Sequence, residues 1–200
     1  MRAKLLLLLF IATAAAVSLA QAAPLPAGVT SQLPAGYEVI TYAVGQLTRD
    51  KRTDYLVALK IKNEAERSPK PETSPPRPLL LFTQGADGAF RLAKRNDHVV
   101  YGINDGGQCD PFEDDDGLVI KNQYFTVQNG VACGSHWTDY ITFKYDPTLH
   151  DWVFSKRIFE SWRMNPSNKP NADALIRDTK RVWSGDKTKP TLFEAYRPLE

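Results

Sequence analysis

This chain is poor in cysteine, in histidine and in long apolar runs, and each shortage removes a class of function. Its two cysteines, Cys109 and Cys133, are not spaced as C-x-x-C, which argues against dithiol redox catalysis. His98, His136 and His150 lie far apart, with no H-x-x-x-H or Cys/His spacing that would frame a zinc ion. No G-x-S-x-G occurs, and the adjacency of Ser135 and His136 does not by itself make a nucleophile and its base. A charge excess is missing too. The formal charge is +2, from 25 basic and 23 acidic residues, and Arg2 and Lys4 account for the whole surplus. A neutral remainder gives no electrostatic reason to expect nucleic acid.

What is present begins with the N-terminus. Arg2 and Lys4 precede an apolar run from Leu5 to Leu19, and Ala20-Gln21-Ala22 places small residues where a signal peptidase reads. The run is about 15 residues, short of the roughly 20 that span a bilayer. Residues 1–22 are therefore expected to be a cleaved signal peptide, with an uncleaved anchor helix as the other reading. The expected location is periplasmic or secreted, with no membrane attachment after cleavage. In such a compartment two cysteines pair, so a Cys109–Cys133 disulfide is expected. Residues 23–200 suffice for a single domain with a sizeable core.

Periodicity points to a mainly β, α+β fold. "YEVITYA" (37–43) alternates, whereas "YLVALKI" (55–61) is apolar on both faces, the pattern of a central strand. Residues 63–78 carry Pro69, Pro71, Pro75, Pro76 and Pro78 and read as a long exposed loop without helix or ladder. "LLLFT" (79–83) turns through Gly85-Ala86-Asp87-Gly88 into "FRLAKR" (90–95). "LVIKN" and "YFTVQN" flank a turn near Asn122-Gln123, and "DYITFKY" (139–145) and "DWVFSKRIF" (151–159) follow. The expected architecture is an antiparallel meander of about seven to nine strands, either partial-propeller-like or a sandwich. One short C-terminal helix is expected over 172–183. Asn171 would be its cap, Asp173 would sit in its first turn and Gly185 would end it, with Leu175, Ile176, Thr179, Val182 and Trp183 on one face.

The stretch "GQLTRDKRTDYLVAL" (45–59) resembles the FG-GAP/VCBS repeat, whose core runs G-D-x-N-x-D-G-x-x-D into an apolar strand. Gly45, Asp50 and Asp54 match its leading glycine and two of its carboxylates, and Tyr55, Leu56 and Val57 match the strand. Gln46 and Thr48 stand where ligands belong, and Lys51 replaces the turn glycine. Arg49 and Arg52 add further positive charge beside the ion's place. Calcium is the one candidate ion, at Asp50 and Asp54, but two carboxylates among three cations are a poor cage for a hard divalent ion. The expected outcome is a turn without its metal, Asp50 and Asp54 capping it and pairing with Arg49 or Arg52. The pattern from "DPFE" to "DWVF" is similar to small exported bacterial proteins that carry one degenerate repeat. That resemblance implies a β-rich exported fold and no reaction.

A second acidic stretch runs through Asp110, Glu113, Asp114, Asp115 and Asp116. Read as a calcium loop ending its turn at Gly117, it lacks ligands at its two strongest positions, held by Phe112 and Gln123. Asp110 with Glu113 could instead serve as a glycosidase pair. Residues 105–120 hold six carboxylates and no Lys or Arg, whereas 155–189 hold nine Lys/Arg against four Asp/Glu. These are two solvated faces or a docking surface for a charged partner. His136 and Trp137, just after Cys133, join Asp110, Glu113, Asp114 and Asp116 as candidate binding residues. The resulting expectation is a non-catalytic binding module of the bacterial periplasm, its partner a protein or a cell-envelope component. The alternatives are an immunity or inhibitor protein of an envelope enzyme, or a glycan or cell-wall hydrolase working through residues 110–116.

Overall fold

A computed structural model describes residues 24–70, 74–112, 117–167 and 169–198. The expected signal peptide therefore lies outside the described residues, as do Glu113, Asp114, Asp115 and Asp116. No helix among the described residues is long and apolar enough to cross a membrane.

The fold is mainly β, with two antiparallel sheets and only short helices. A one-turn helix, α1 (Ala27–Thr30), leads into β1 (Tyr37–Gly45) and β2 (Asp54–Ile61). After the short α2 (Glu64–Arg67) come β3 (Arg77–Gln84) and β4 (Phe90–Val100). These strands pair in sequence order as one four-stranded meander. The second meander has five strands: β5 (Leu118–Lys121), β6 (Tyr124–Val131), β7 (His136–Asp146), β8 (Asp151–Met164) and β9 (Leu175–Ser184). A 3₁₀ turn at Phe193–Ala195 closes the described chain.

The first sheet is covered on both sides, which explains the unbroken apolar runs of β2 and β3. Leu56, Ala58, Leu79 and Leu81 point one way, into a core shared with Phe125, Val127, Ile141 and Phe143 of the second sheet. Val57, Leu59, Leu80 and Phe82 point the other way and pack on Val29 of α1 and its flanks, Leu25 and Leu33. Side-chain direction alternates along a strand, so a strand buried on both faces needs no polar interruption. Each such Leu or Phe contributes roughly 1.5–3 kcal/mol by leaving water. In β7 the alternation is plain: Asp139, Ile141 and Phe143 are buried and the residues between them are not.

Two segments differ from expectation. Residues 172–183 do not form a helix; Leu175–Ser184 is the edge strand β9, antiparallel to β8. The spacing of Leu175, Ile176, Thr179, Val182 and Trp183 mimics a helical stripe because β9 is exposed along much of both faces. The register also slips between Ser161 and Trp162, which breaks the period-2 signature. The proline-rich stretch 63–78 is not wholly exposed either. It holds α2 and the first residues of β3, and Glu64, Ser68 and Arg77 within it are buried.

Candidate functional site

The proline-rich stretch owes its burial to Arg77, whose side chain has no solvent exposure. Its Nε and Nη2 donate to the two oxygens of Glu64 at 2.7 and 2.6 Å. Nη1 and Nη2 donate to Asp110 at 2.6 and 2.5 Å, and Nη1 also reaches the Tyr101 carbonyl at 3.0 Å. All five guanidinium protons thus have acceptors, which is the condition for burying this charge. Burial pulls the Arg77 pKa down, yet Asp110 and Glu64 outweigh it and hold the group above its ordinary value. Asp110 is therefore spoken for. It also accepts the Phe112 N–H at 2.9 Å, closing the loop that follows Cys109.

A second network lies under the far end of the second sheet. Asp139 on β7 has no solvent exposure and faces Arg157 on β8, whose Nε lies 3.0 and 2.9 Å from its two oxygens. The Tyr101 hydroxyl donates to Asp139 Oδ2 at 2.5 Å and accepts from Arg157 Nη2 at 3.2 Å. The Arg157 guanidinium also stacks 4.7 Å over the Trp183 ring of β9. Burial first, and then the Asp139 charge, push the Tyr101 hydroxyl well above the ordinary phenol range. Burial pushes Tyr196 up to about 12, against the pull of Arg157. Neither tyrosine supplies a phenolate base near neutrality.

Above this network opens a cleft of about 780 Å³ whose lining includes Pro75, Pro76, His98, Trp137, Phe159 and Arg197. Trp137 and Phe159 stack with centroids 6.1 Å apart, and the Tyr101 ring also lies 6.1 Å from Trp137. Arg197 is pinned at the rim by the carbonyls of Glu194 and Tyr196 at 3.0 and 2.8 Å. A smaller hollow of about 580 Å³ is lined by Asp110, Trp137 and both cysteines. Trp137 thus borders both spaces, and Asp110 is brought to the second of them. His136 is not with them, because strand alternation sends its ring to the opposite face of β7.

Cys109 and Cys133 are bonded, with Cα atoms 6.3 Å apart, and no other cysteine remains. The bond ties the loop bearing Asp110 to the hairpin bearing Trp137.

The calcium-loop-like turn has a different job. Asp54 is fully buried and accepts the backbone N–H of Leu47 at 2.8 Å and of Gln84 at 3.2 Å. Burial raises its pKa, with the backbone donors working against that shift. A carboxylate ringed by N–H donors faces the positive ends of dipoles, the reverse of the oxygen cage a hard cation requires. Asp50 accepts the Arg52 N–H at 2.9 Å and pairs with its guanidinium at 2.6 Å, as expected. Lys51 adopts φ 62°, the left-handed conformation that favours glycine. The turn serves as a clamp: Leu47 is buried in the shared core, and its carbonyl accepts the Trp152 indole N–H of the other sheet at 3.0 Å. Gly45 is needed for a similar reason, since a Cβ there would lie 2.6 Å from Ile120 of β5. Among the described residues, no group of three or more His, Cys, Asp or Glu is placed to hold a metal ion.

No spacing or motif points to Arg77, Tyr101, Asp139 or Arg157. Their partners lie 13 to 56 residues away, and only the buried placement of a charge reveals them. Comparison with known proteins found no matching family model, no similar curated protein and no similar solved structure.

Proposed function

We propose that this protein is an exported, non-catalytic binding module of the bacterial periplasm that takes a protein or cell-envelope component in the Trp137 cleft. Export rests on the basic, apolar and small-residue pattern of residues 1–22. The observation that carries the binding reading is the commitment of the carboxylates beside the cleft. Of the carboxylates lining the cleft, Asp139 is held by Arg157 and Tyr101, Asp97 pairs with Arg95 and Asp105 accepts the Gly102 N–H, while Asp110, at the neighbouring hollow, and Glu64 are held by Arg77. A general acid must hold and release a proton at working pH, and a carboxylate gripped by a buried guanidinium does neither. Glycan hydrolysis through Asp110 is disfavoured on this ground. Aromatic rings beside fixed polar groups, in contrast, suit recognition.

The test is capture. The mature chain, immobilised and incubated with periplasmic extract, should retain a stoichiometric partner. Trp137→Ala should lose that partner while its melting profile stays cooperative. Turnover of a cell-wall or glycan substrate by the purified chain, abolished by changes in this cleft, would overturn the reading.

A further inference from the structure

The cross-strand register places a second set of side chains on the outer face of the five-stranded sheet, opposite the core. Gln128, Tyr140, Ile158 and Val182 stand in one row across β6 to β9. On one side of it run Val119, Thr126, Thr142, Lys156 and Ser184, and beyond them Lys121, Tyr124 and Lys144. On the other side run Gly130, Thr138, Glu160 and Lys180, followed by His136, Trp162 and Arg177. None of these residues is buried, and Val182, Val119 and Tyr124 are exposed large apolar groups.

The charges on this face are one-sided. Among the described residues of these rows, Lys121, Lys144, Lys156, Arg177 and Lys180 stand against Glu160, which is already gripped by Lys180 at 2.7 Å and Arg177 at 3.0 Å. The next carboxylate along β7, Asp146, sits at the hairpin end and accepts the Thr148 and Leu149 amides. A sheet face with an apolar and aromatic centre and a cationic surround has the anatomy of a docking patch for a surface of opposite sign. We propose that this face docks an acidic protein surface, with Tyr140, Ile158 and Val182 as the apolar centre and the lysines steering approach. The surface lies apart from the 780 Å³ cleft but adjoins the 580 Å³ hollow, whose lining includes Gln128, Thr138 and Tyr140 together with Asp110 and Trp137.

The probe is a poly-L-glutamate peptide, titrated against the folded chain at low and at raised salt. Binding should be salt-sensitive and should weaken at least about tenfold in Lys144→Glu/Lys156→Glu, a reversal of two charges that have no ion pair among the described residues. The same reversal at Lys62 and Lys187 should leave it within twofold of native. Val182→Asp should weaken binding, whereas Leu92→Asp, on the other sheet, should not. Absence of peptide binding, equal loss in both lysine pairs, or binding only to phosphatidylglycerol vesicles overturns the proposal. In the extract capture, an acidic protein lost with Lys144→Glu/Lys156→Glu supports it. A partner retained by that variant but lost with Trp137→Ala overturns this surface and leaves the cleft reading standing.

Discussion

Arg77 and Asp110, 33 residues apart, face each other as a two-pronged pair with contacts of 2.6 and 2.5 Å. The same guanidinium grips Glu64 with two further bonds, so one buried cation joins α2, the start of β3 and the disulfide-bonded loop. Removing it strands two largely buried carboxylates without their shared counter-charge. Arg77→Met should cost about 3–5 kcal/mol, the range for breaking a buried ion pair. In a domain of this size that lowers the melting temperature by roughly 6–20 °C. Arg77→Lys should recover little, because one ammonium cannot replace a planar five-donor fork. A variant within 1 °C of native in a thermal melt would show that the network contributes nothing.

Cys109 adjoins Asp110, so the disulfide and the Arg77 network should be energetically coupled. On the loop-entropy model, closing the loop from Cys109 to Cys133 restricts the unfolded chain by about 3–4 kcal/mol. Cys109→Ser/Cys133→Ser should lose about that much in urea unfolding. Combined with Asp110→Asn, the loss should be less than the sum of the two, since freeing the loop already loosens Asp110 from Arg77. Strict additivity would place the loop's order elsewhere.

The turn from Gly45 to Asp54 yields a paired prediction. Asp54→Asn turns an amide NH₂ toward a backbone N–H and leaves Leu47 or Gln84 without its acceptor, costing about 1–3 kcal/mol. Lys51→Gly relieves the left-handed backbone conformation and should raise stability by up to about 1 kcal/mol, after the looser unfolded chain is counted. The melting temperature should be the same in chelator and in millimolar calcium. A calcium-dependent rise of several degrees, lost in Asp54→Asn, would restore the ion to this turn.

The strands were readable because their apolar residues face something fixed. The two-sided runs of β2 and β3 and the alternation in β7 are direct imprints of what lies above and below them. Strand β9 lacks that imprint: its inward neighbours are few, so chance spacing and a favourable Asp173 imitated a helix. Asp50 and Asp54 could be judged from the charges beside them. Arg77 could not, because a lone arginine among prolines looks solvated until Glu64 and Asp110 close on it. The same holds for Asp139, which in sequence is one polar residue at the head of an alternating strand. Trp137 was legible as a candidate binding residue only, and its separation from His136 follows from strand direction rather than from their adjacency.

His98, on the cleft rim, offers a probe of the cleft's electrostatics in solution. Burial first, and then the Arg197 charge, lower its pKa below the ordinary 6.5, while Asp97 works in the opposite sense. Followed by NMR of the imidazole protons, His98 should titrate below that value. Arg197→Gln should raise it toward 6.5, and Asp97→Asn should lower it further. The sign for stability follows from linkage. A folded-state pKa below the unfolded one means the unfolded chain binds the proton first. The imidazole's contribution is therefore intact above pH 6.5 and is lost as the pH falls toward and through the folded value. His98→Gln should flatten that part of the stability profile without altering stability above pH 7. A His98 titration unmoved by Arg197→Gln would mean that the guanidinium does not sit at the cleft rim in solution, and the cleft would lose a fixed cation from its rim.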